Sequence, residues 1–144
     1  IFSEVITTPA KGVSEAYIEV TFDKYFDGSA LAQKYPQEFG DAAGYAVVPL
    51  KVTKHGDVAQ FWYDVYSDDL SDTTYPTDLD LIIDLQINGI ANKEYTYAYC
   101  DYSTILTLAS FCKDSEDNDS AVTRNVFRVL DSGVSPVDEF EFFE

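Results

Sequence analysis

The chain has 144 residues, the length of one ordinary domain, and 46% of them are apolar, which excludes a disordered chain. Its formal net charge is −17, from 26 acidic and 9 basic residues, and a surface this negative repels nucleic-acid phosphates and anionic lipid headgroups. We therefore expect neither as a partner, and since no run of about 18 apolar residues occurs, we expect no transmembrane segment.

Two strands are predicted before residue 23. Residues 3–8 are typical of a short edge strand that Pro9 ends, since proline cannot donate a hydrogen bond to a neighbouring strand. Residues 14–22 alternate between apolar and polar side chains, which predicts a half-buried strand. Its predicted buried face carries Ala16, Ile18, Val20 and Phe22.

Residues 23–43 break this alternation and are interpreted as a loop insertion. Gly28, Pro36 and Gly40 interrupt the segment. Ser29 can cap one or two helical turns that continue through Tyr35 and stop at Pro36.

Residues 45–53 and 58–67 are two further predicted strands. Gly56 lies in the short polar turn between them, which is a hairpin signal. One face of the second strand carries Phe61, Tyr63 and Val65. The other carries Trp62, Asp64 and Tyr66, and Asp64 indicates that this second face is the wetter one.

The apolar residues of segment 78–90 fit two templates. As a strand, one face carries Leu79, Leu81, Ile83, Leu85 and Ile87. As a helix, the segment has a stripe of Leu79, Ile82, Ile83, Ile87 and Ile90, widened by Leu81 and Leu85. The flanks favour the helix, because Thr77 can cap its start and Gly89 fits a left-handed stop. The pattern alone leaves both templates open.

Three strands and a tail complete the chain. Residues 94–100 carry Tyr95, Tyr97 and Tyr99 on one side. The predicted inward face of strand 105–113 carries Leu106, Leu108, Ser110 and Cys112. The predicted inward face of strand 123–130 carries Phe127 and Val129. An acidic loop, 114–120, joins these two strands. About seven short strands separated by turn signals predict an all-β sandwich.

Several of these segments resemble fibronectin type III domains. Residues 105–126 (ILTLASFCKDSEDNDSAVTRNV) resemble the last hairpin of such domains, where an alternating strand runs into an Asp-containing turn, a Ser and a final strand. Residues 44–52 (GYAVVPLKV), 57–65 (DVAQFWYDV) and 75–78 (YPTD), which lead into Asn88, Gly89 and Ile90, resemble the fibronectin-type repeats of Bacteroidales surface lipoproteins. Residues 132–140 (SGVSPVDEF) resemble the ends of those repeats.

The resemblance implies a single immunoglobulin-like, fibronectin type III-like sandwich. We expect it over residues 1–140, with a C-terminal tail at 141–144, a short helix near 77–89 and the loop insertion near 23–43. It also implies export, a cell-surface location with a lipid anchor on an upstream Cys, and a role in adhesion or in the capture of a glycan or protein. The alternative is a structural spacer domain with no ligand of its own.

Trp62, Tyr66 and Tyr17 are the candidate ligand-binding residues. Exposed aromatic rings at strand spacing can stack on sugar rings or anchor a protein partner. The alternative is that they are packing residues covered by the insertion or by the helix.

The acidic loop is a candidate calcium site with Asp114, Glu116, Asp117 and Asp119 as ligands. Ca²⁺ requires several oxygen ligands from a flexible loop. The loop lacks the Gly and the distal Glu of an EF-hand, so a solvated turn is the alternative; no other cofactor is expected.

Cys100 and Cys112 are either a disulfide between neighbouring strands of a secreted domain or two buried free thiols. Catalysis is not expected, because the single histidine, His55, lies in a predicted polar turn. The chain also has no Gly-rich phosphate loop, nucleophile elbow or Cys-x-x-Cys motif.

Overall fold

Two antiparallel sheets form the framework of the structure, a computed structural model that describes residues 13–143. The first sheet contains β1 (Tyr17–Thr21), β2 (Phe26–Asp27), β3 (Ala46–His55) and β6 (Tyr95–Cys100). The second contains β4 (Gln60–Tyr66), β5 (Ile90–Ala91), β7 (Leu106–Lys113) and β8 (Thr123–Phe127). Three helices accompany them: α1 (Gly28–Lys34), α2 (Pro36–Phe39) and α3 (Asp78–Asn88).

Strand β3 is the centre of the first sheet. β6 pairs along one edge, with Val48 opposite Ala98, and β1 and β2 share the other edge, with Val20 opposite Val52. The second sheet has the order β5-β4-β7-β8, and the predicted last hairpin is confirmed as the β7–β8 pair.

The main core lies between the two sheets, so the predicted sandwich of apolar strand faces is confirmed. In β1, β4, β7 and β8 the core side chains belong to the alternating faces that the sequence predicts. The fully or nearly fully buried members include Ile18, Val20, Val48, Leu50, Phe61, Tyr63, Leu106, Leu108 and Val129.

The predicted hairpin at residues 54–57 is wrong. β3 pairs with β1, β2 and β6, whereas β4 pairs with β5 and β7, so the turn carries the chain from one sheet to the other. Gly56 has φ +80°, a left-handed conformation that suits glycine. A glycine-containing turn between two alternating segments fits either a hairpin within one sheet or a crossing from one sheet to the other. The pairing of each strand with distant strands decides between the two.

The helical turns predicted up to Tyr35 are confirmed as α1, but the interpretation of residues 23–43 as a loop is wrong, because β2 and α2 also lie there. The cap of α1 is Asp27, whose carboxylate accepts a hydrogen bond from the Ala30 N–H at 3.2 Å. Ser29 instead accepts one from the Gly44 N–H at 3.0 Å. Pro36 is the first residue of α2, a position that needs no N–H donor.

These two helices and the C-terminal segment cover the outer face of the first sheet. Phe140 packs edge-to-face against Phe26 and Phe39 with ring centroids 5.2 and 5.3 Å apart. In the predicted tail, Phe142 stacks on Phe39 and the Phe143 N–H donates to the Tyr97 hydroxyl at 2.7 Å. The edge strand expected at residues 3–8 lies outside the described residues.

Segment 78–90 is a helix up to Asn88, as its flanks favour. Thr77 and Asp80 form a reciprocal capping box: the Asp80 N–H donates to the Thr77 hydroxyl at 3.1 Å, and the Thr77 N–H to the Asp80 carboxylate at 3.0 Å. The prediction that Gly89 ends the helix in a left-handed conformation is wrong, because Gly89 is extended with φ −77° and ψ 174°. A Cβ on Gly89 would lie 2.5 Å from the Leu85 carbonyl oxygen, so close approach of the backbone is what requires glycine.

The capping box makes the start of α3 sensitive to a single hydroxyl. Thr77→Ala is expected to lower the free energy of unfolding by about 1 kcal/mol, because the Asp80 N–H in the first turn loses the hydroxyl that accepts its hydrogen bond. Urea denaturation measures this change, with Thr73→Ala, in the same exposed loop, as control. Equal midpoints for the two variants would contradict it.

Candidate functional site

Helix α3 covers the outer face of the second sheet. It buries Leu81 and Leu85 there, against a cluster that contains Trp62 and Phe111. The Trp62 and Phe111 rings stack at 5.0 Å, and Trp62 is only 7% exposed. The prediction that Trp62 lies on a wet face is therefore wrong: alternation places the ring on the outer side of the strand correctly, but the helix covers that side.

The other two aromatic candidates lie apart from each other. The Tyr66 hydroxyl, beside α3, donates to the Asp84 carboxylate at 2.5 Å. Tyr17 belongs to the first sheet, where it is 49% exposed and stacks on His55 at 4.4 Å. Of the three predicted residues, Tyr66 is the one that lines a cavity with α3, and Tyr17 does not join it.

Three apolar side chains face outward from α3 at a spacing of four residues. Leu79, Ile83 and Ile87 are 64%, 49% and 73% exposed, and we call them the α3 stripe. Residues four apart lie on one face of a helix, and this face is opposite the buried Leu81 and Leu85. The helix thus has two apolar sides, whereas a surface helix of a monomer normally has one, which packs against the core.

A cavity of about 380 Å³, the α3 cleft, opens along the side of the helix next to the stripe. Asp80 and Asp84 each lie three positions before a stripe residue, so they separate the stripe from the cleft. The cleft is lined by Tyr66, Ser67, Asp68, Leu70, Tyr75, Pro76, Asp80, Leu81 and Asp84. Tyr75 stands at its edge and is 82% exposed.

Hydrogen bonds favour the charged form of two carboxylates of the cleft, those of Asp84 and Asp80. The Tyr66 hydroxyl, and then the Asn88 side-chain amide, keep the pKa of Asp84 below its ordinary value. The backbone N–H of Thr77 does the same for the pKa of Asp80. Burial raises the pKa of the nearby Asp64, and the charge of Asp84 raises it further. The cleft is therefore anionic at neutral pH.

Arg124 holds the wall of the cleft in place. Its guanidinium, on a side chain 6% exposed, donates to the carbonyls of Leu70 and Pro76 at 2.8 and 2.9 Å. It also donates to the Asp78 carboxylate at 2.7 Å, which joins the 70–76 loop to the start of α3. From β7, the Thr107 hydroxyl donates to the Asp68 carbonyl at 2.7 Å and secures the other end of the loop.

The residues of the predicted calcium site bond to their own loop. Asp114 accepts hydrogen bonds from the N–H groups of Glu116 and Asn118, at 3.0 and 2.9 Å. The Lys113 ammonium lies 2.6 Å from Asp119 and 3.5 Å from Asp117. In the part of the chain that the structure describes, no group of three or more His, Cys, Asp or Glu is placed to hold a metal ion.

Cys100 and Cys112 are free, buried thiols. The premise that they lie on neighbouring strands is wrong, because Cys100 ends β6 in the first sheet and Cys112 lies on β7 in the second. Burial raises the pKa of the Cys100 thiol to about 12, so this thiol is protonated and unreactive at neutral pH.

Sequence reasoning missed most of the α3 surface. The apolar pattern of the helix predicts a single broad stripe, and which of its members face outward depends on contact with the second sheet. The sequence places Arg124 only within the predicted strand 123–130, and its bonds to Leu70, Pro76 and Asp78 depend on the tertiary structure.

Among residues 13–143, no helix is both long enough and apolar enough to cross a membrane. The chain matches no protein-family model, no curated protein and no solved structure.

Replacing Arg124 tests whether it organises the cleft. Arg124→Gln is expected to lower the free energy of unfolding by about 2 kcal/mol, because buried carbonyls lose a charged donor. The urea midpoint measures this. Arg128→Gln removes the same charge from an exposed position, and an equal effect of the two substitutions would contradict the assignment.

Removing the Tyr66 hydroxyl is expected to raise the pKa of Asp84 toward its ordinary value. The native donor favours the charged carboxylate, so its contribution to stability is present above pH 3.8 and is lost as the pH falls through the lowered folded pKa. Carboxyl-carbon NMR titration of Tyr66→Phe measures the change, with Tyr45→Phe as the distant control. An unchanged Asp84 titration would remove Tyr66 as the cause.

Proposed function

We propose that this chain is a non-catalytic extracellular binding or adhesion module of a cell-surface lipoprotein, and that it binds a protein partner through α3. The observation that carries the proposal is the α3 stripe, with Leu79, Ile83 and Ile87 about half to three-quarters exposed. A contiguous apolar face on an otherwise charged surface is typical of a protein-interaction site.

The pairing of the strands supports a fibronectin type III-like domain. In the lettering of immunoglobulin-like sandwiches, this proposal equates strands A, B and E of one sheet with β1, β3 and β6. β4, β7 and β8 take the places of C, F and G in the other. Such sandwiches commonly present their ligands on edges and loops, and here the connection after β4 contains α3.

The chemistry of the stripe favours a protein over a glycan. Leu and Ile side chains provide neither a flat ring for stacking on a sugar nor a hydrogen bond for its hydroxyls. Burying one such side chain fully stabilises a complex by roughly 1.5–3 kcal/mol. The export and lipid anchor in this proposal come from the resemblance to surface lipoproteins.

The test is selection of a displayed random-peptide library on the wild-type chain. Peptides are expected to enrich, and their affinity is expected to fall at least about tenfold for the Leu79→Ser, Ile83→Ser variant, because two apolar contacts are lost. Fluorescence anisotropy of the resynthesised peptides measures the affinity. Leu130→Ser, at a 44% exposed apolar residue outside α3, is the matched control.

Two results would overturn the proposal. If no peptide enriches and a glycan array is also blank, the structural spacer is the better explanation. If array binding depends on Tyr75 and survives substitution of the stripe, the partner is a glycan that binds at the cleft.

A further inference from the structure

We infer that the partner segment is basic as well as apolar, and that one of its arginine or lysine side chains enters the α3 cleft while its apolar residues cover the stripe. This inference rests on the proposed function and names the chemical class of its partner.

The stripe and the cleft form one continuous surface. Asp80 and Asp84 line the cleft and lie three positions before Ile83 and Ile87, a spacing that makes them neighbours of these stripe residues on the helix surface. A segment that lies on the stripe therefore has the cleft beside it, within reach of a long side chain.

The walls of the cleft suit a cationic side chain on a long apolar stem. Leu70, Pro76 and Leu81 provide an apolar lining for methylene groups. The rings of Tyr66 and Tyr75 line the cleft and provide faces for a cation, and Tyr75 is 82% exposed. A volume of about 380 Å³ accommodates such a side chain.

The charge of the cleft points to the same partner. Three carboxylates line it, from Asp68, Asp80 and Asp84, and the lining contains no Lys, Arg or His. Arg124 is not itself part of the lining, and its guanidinium is already bonded to the carbonyl oxygens of Leu70 and Pro76 and to the Asp78 carboxylate. A carboxylate accepts about four hydrogen bonds, so Asp84 has capacity beyond its bonds to Tyr66 and Asn88.

A second copy of the chain is the less favourable occupant. Each copy carries a net charge of −17, and placing two α3 surfaces together would bring like carboxylates into contact. The chain's own residues 1–12 are a further alternative; they contain Lys11 as their only basic side chain.

The experiment uses the enriched peptides whose binding requires the stripe. Each is resynthesised with every Arg replaced by citrulline and every Lys by acetyl-lysine, which removes the charge and retains nearly the same shape. The wild-type chain is expected to bind the charged forms at least about tenfold more tightly, and the preference is expected to shrink as salt is raised.

Variants of the chain locate the cation. The preference for charged peptides is expected to be lost in Asp80→Asn, Asp84→Asn and retained in Glu15→Gln, Glu38→Gln, which removes the same charge at exposed positions. Since Asp80 and Asp84 also bond to Thr77 and Tyr66, Tyr75→Ala provides a second variant at an exposed ring that the fold does not need. It is expected to weaken charged peptides more than neutral ones.

The outcomes separate the two proposals. Peptides that need the stripe but bind equally in charged and neutral form would overturn the inference and leave the proposed function standing. The inference would also be overturned if the preference for charged peptides fell equally in Asp80→Asn, Asp84→Asn and in Glu15→Gln, Glu38→Gln. Attraction to the net negative charge of the chain would then explain the binding. Tighter self-association of the wild-type chain than of Ile83→Ser, or tighter peptide binding after deletion of residues 1–12, would assign the surface to those occupants instead.

Discussion

Apolar side chains on both faces of the central strands are the constraint on which the rest of this structure depends. In β7, Leu106, Leu108 and Cys112 face the core between the sheets, while Ala109 and Phe111 face outward and are equally buried. In β3 the same holds for Val47, which faces outward into a second cluster. A sheet of this kind is stable only if both of its faces are covered.

The coverings are built from the segments between strands. α1, α2 and the C-terminal Phe residues cover the first sheet, and α3 covers the second. The structure thus consists of two sheets with a helical layer on each outer side. This arrangement explains why Trp62 is unavailable to a ligand.

The position of α3 depends on polar as well as apolar contacts. Leu81 and Leu85 attach the helix to the sheet, and Arg124 ties its first turn to the preceding loop. Because one guanidinium bonds to both the loop and the helix, the cleft between them has a defined shape. The stripe on the opposite side of α3 takes no part in this packing, so nothing in the fold of the described residues accounts for its apolar character.

The proposed function rests on two features of the structure, the surface of α3 and the order of the strands. Strand order is a property of the whole fold and is shared by domains with many functions. The surface of α3 is particular to this chain, and for that reason it bears the proposal.

The sequence by itself determined six of the eight described strands (β1, β3, β4, β6, β7 and β8), the side chains that share a face in β1, β4, β7 and β8, and the cap at which α3 starts. Alternation in β1, β4 and β7 and the Thr77 cap are local signals, and each depends on residues within a few positions. Tertiary structure alone decided that residues 54–57 cross between sheets, that Trp62 is covered and that Leu79, Ile83 and Ile87 face outward. The reason is physical: periodicity states which side chains lie together, whereas what lies opposite them depends on contacts between residues far apart in the chain.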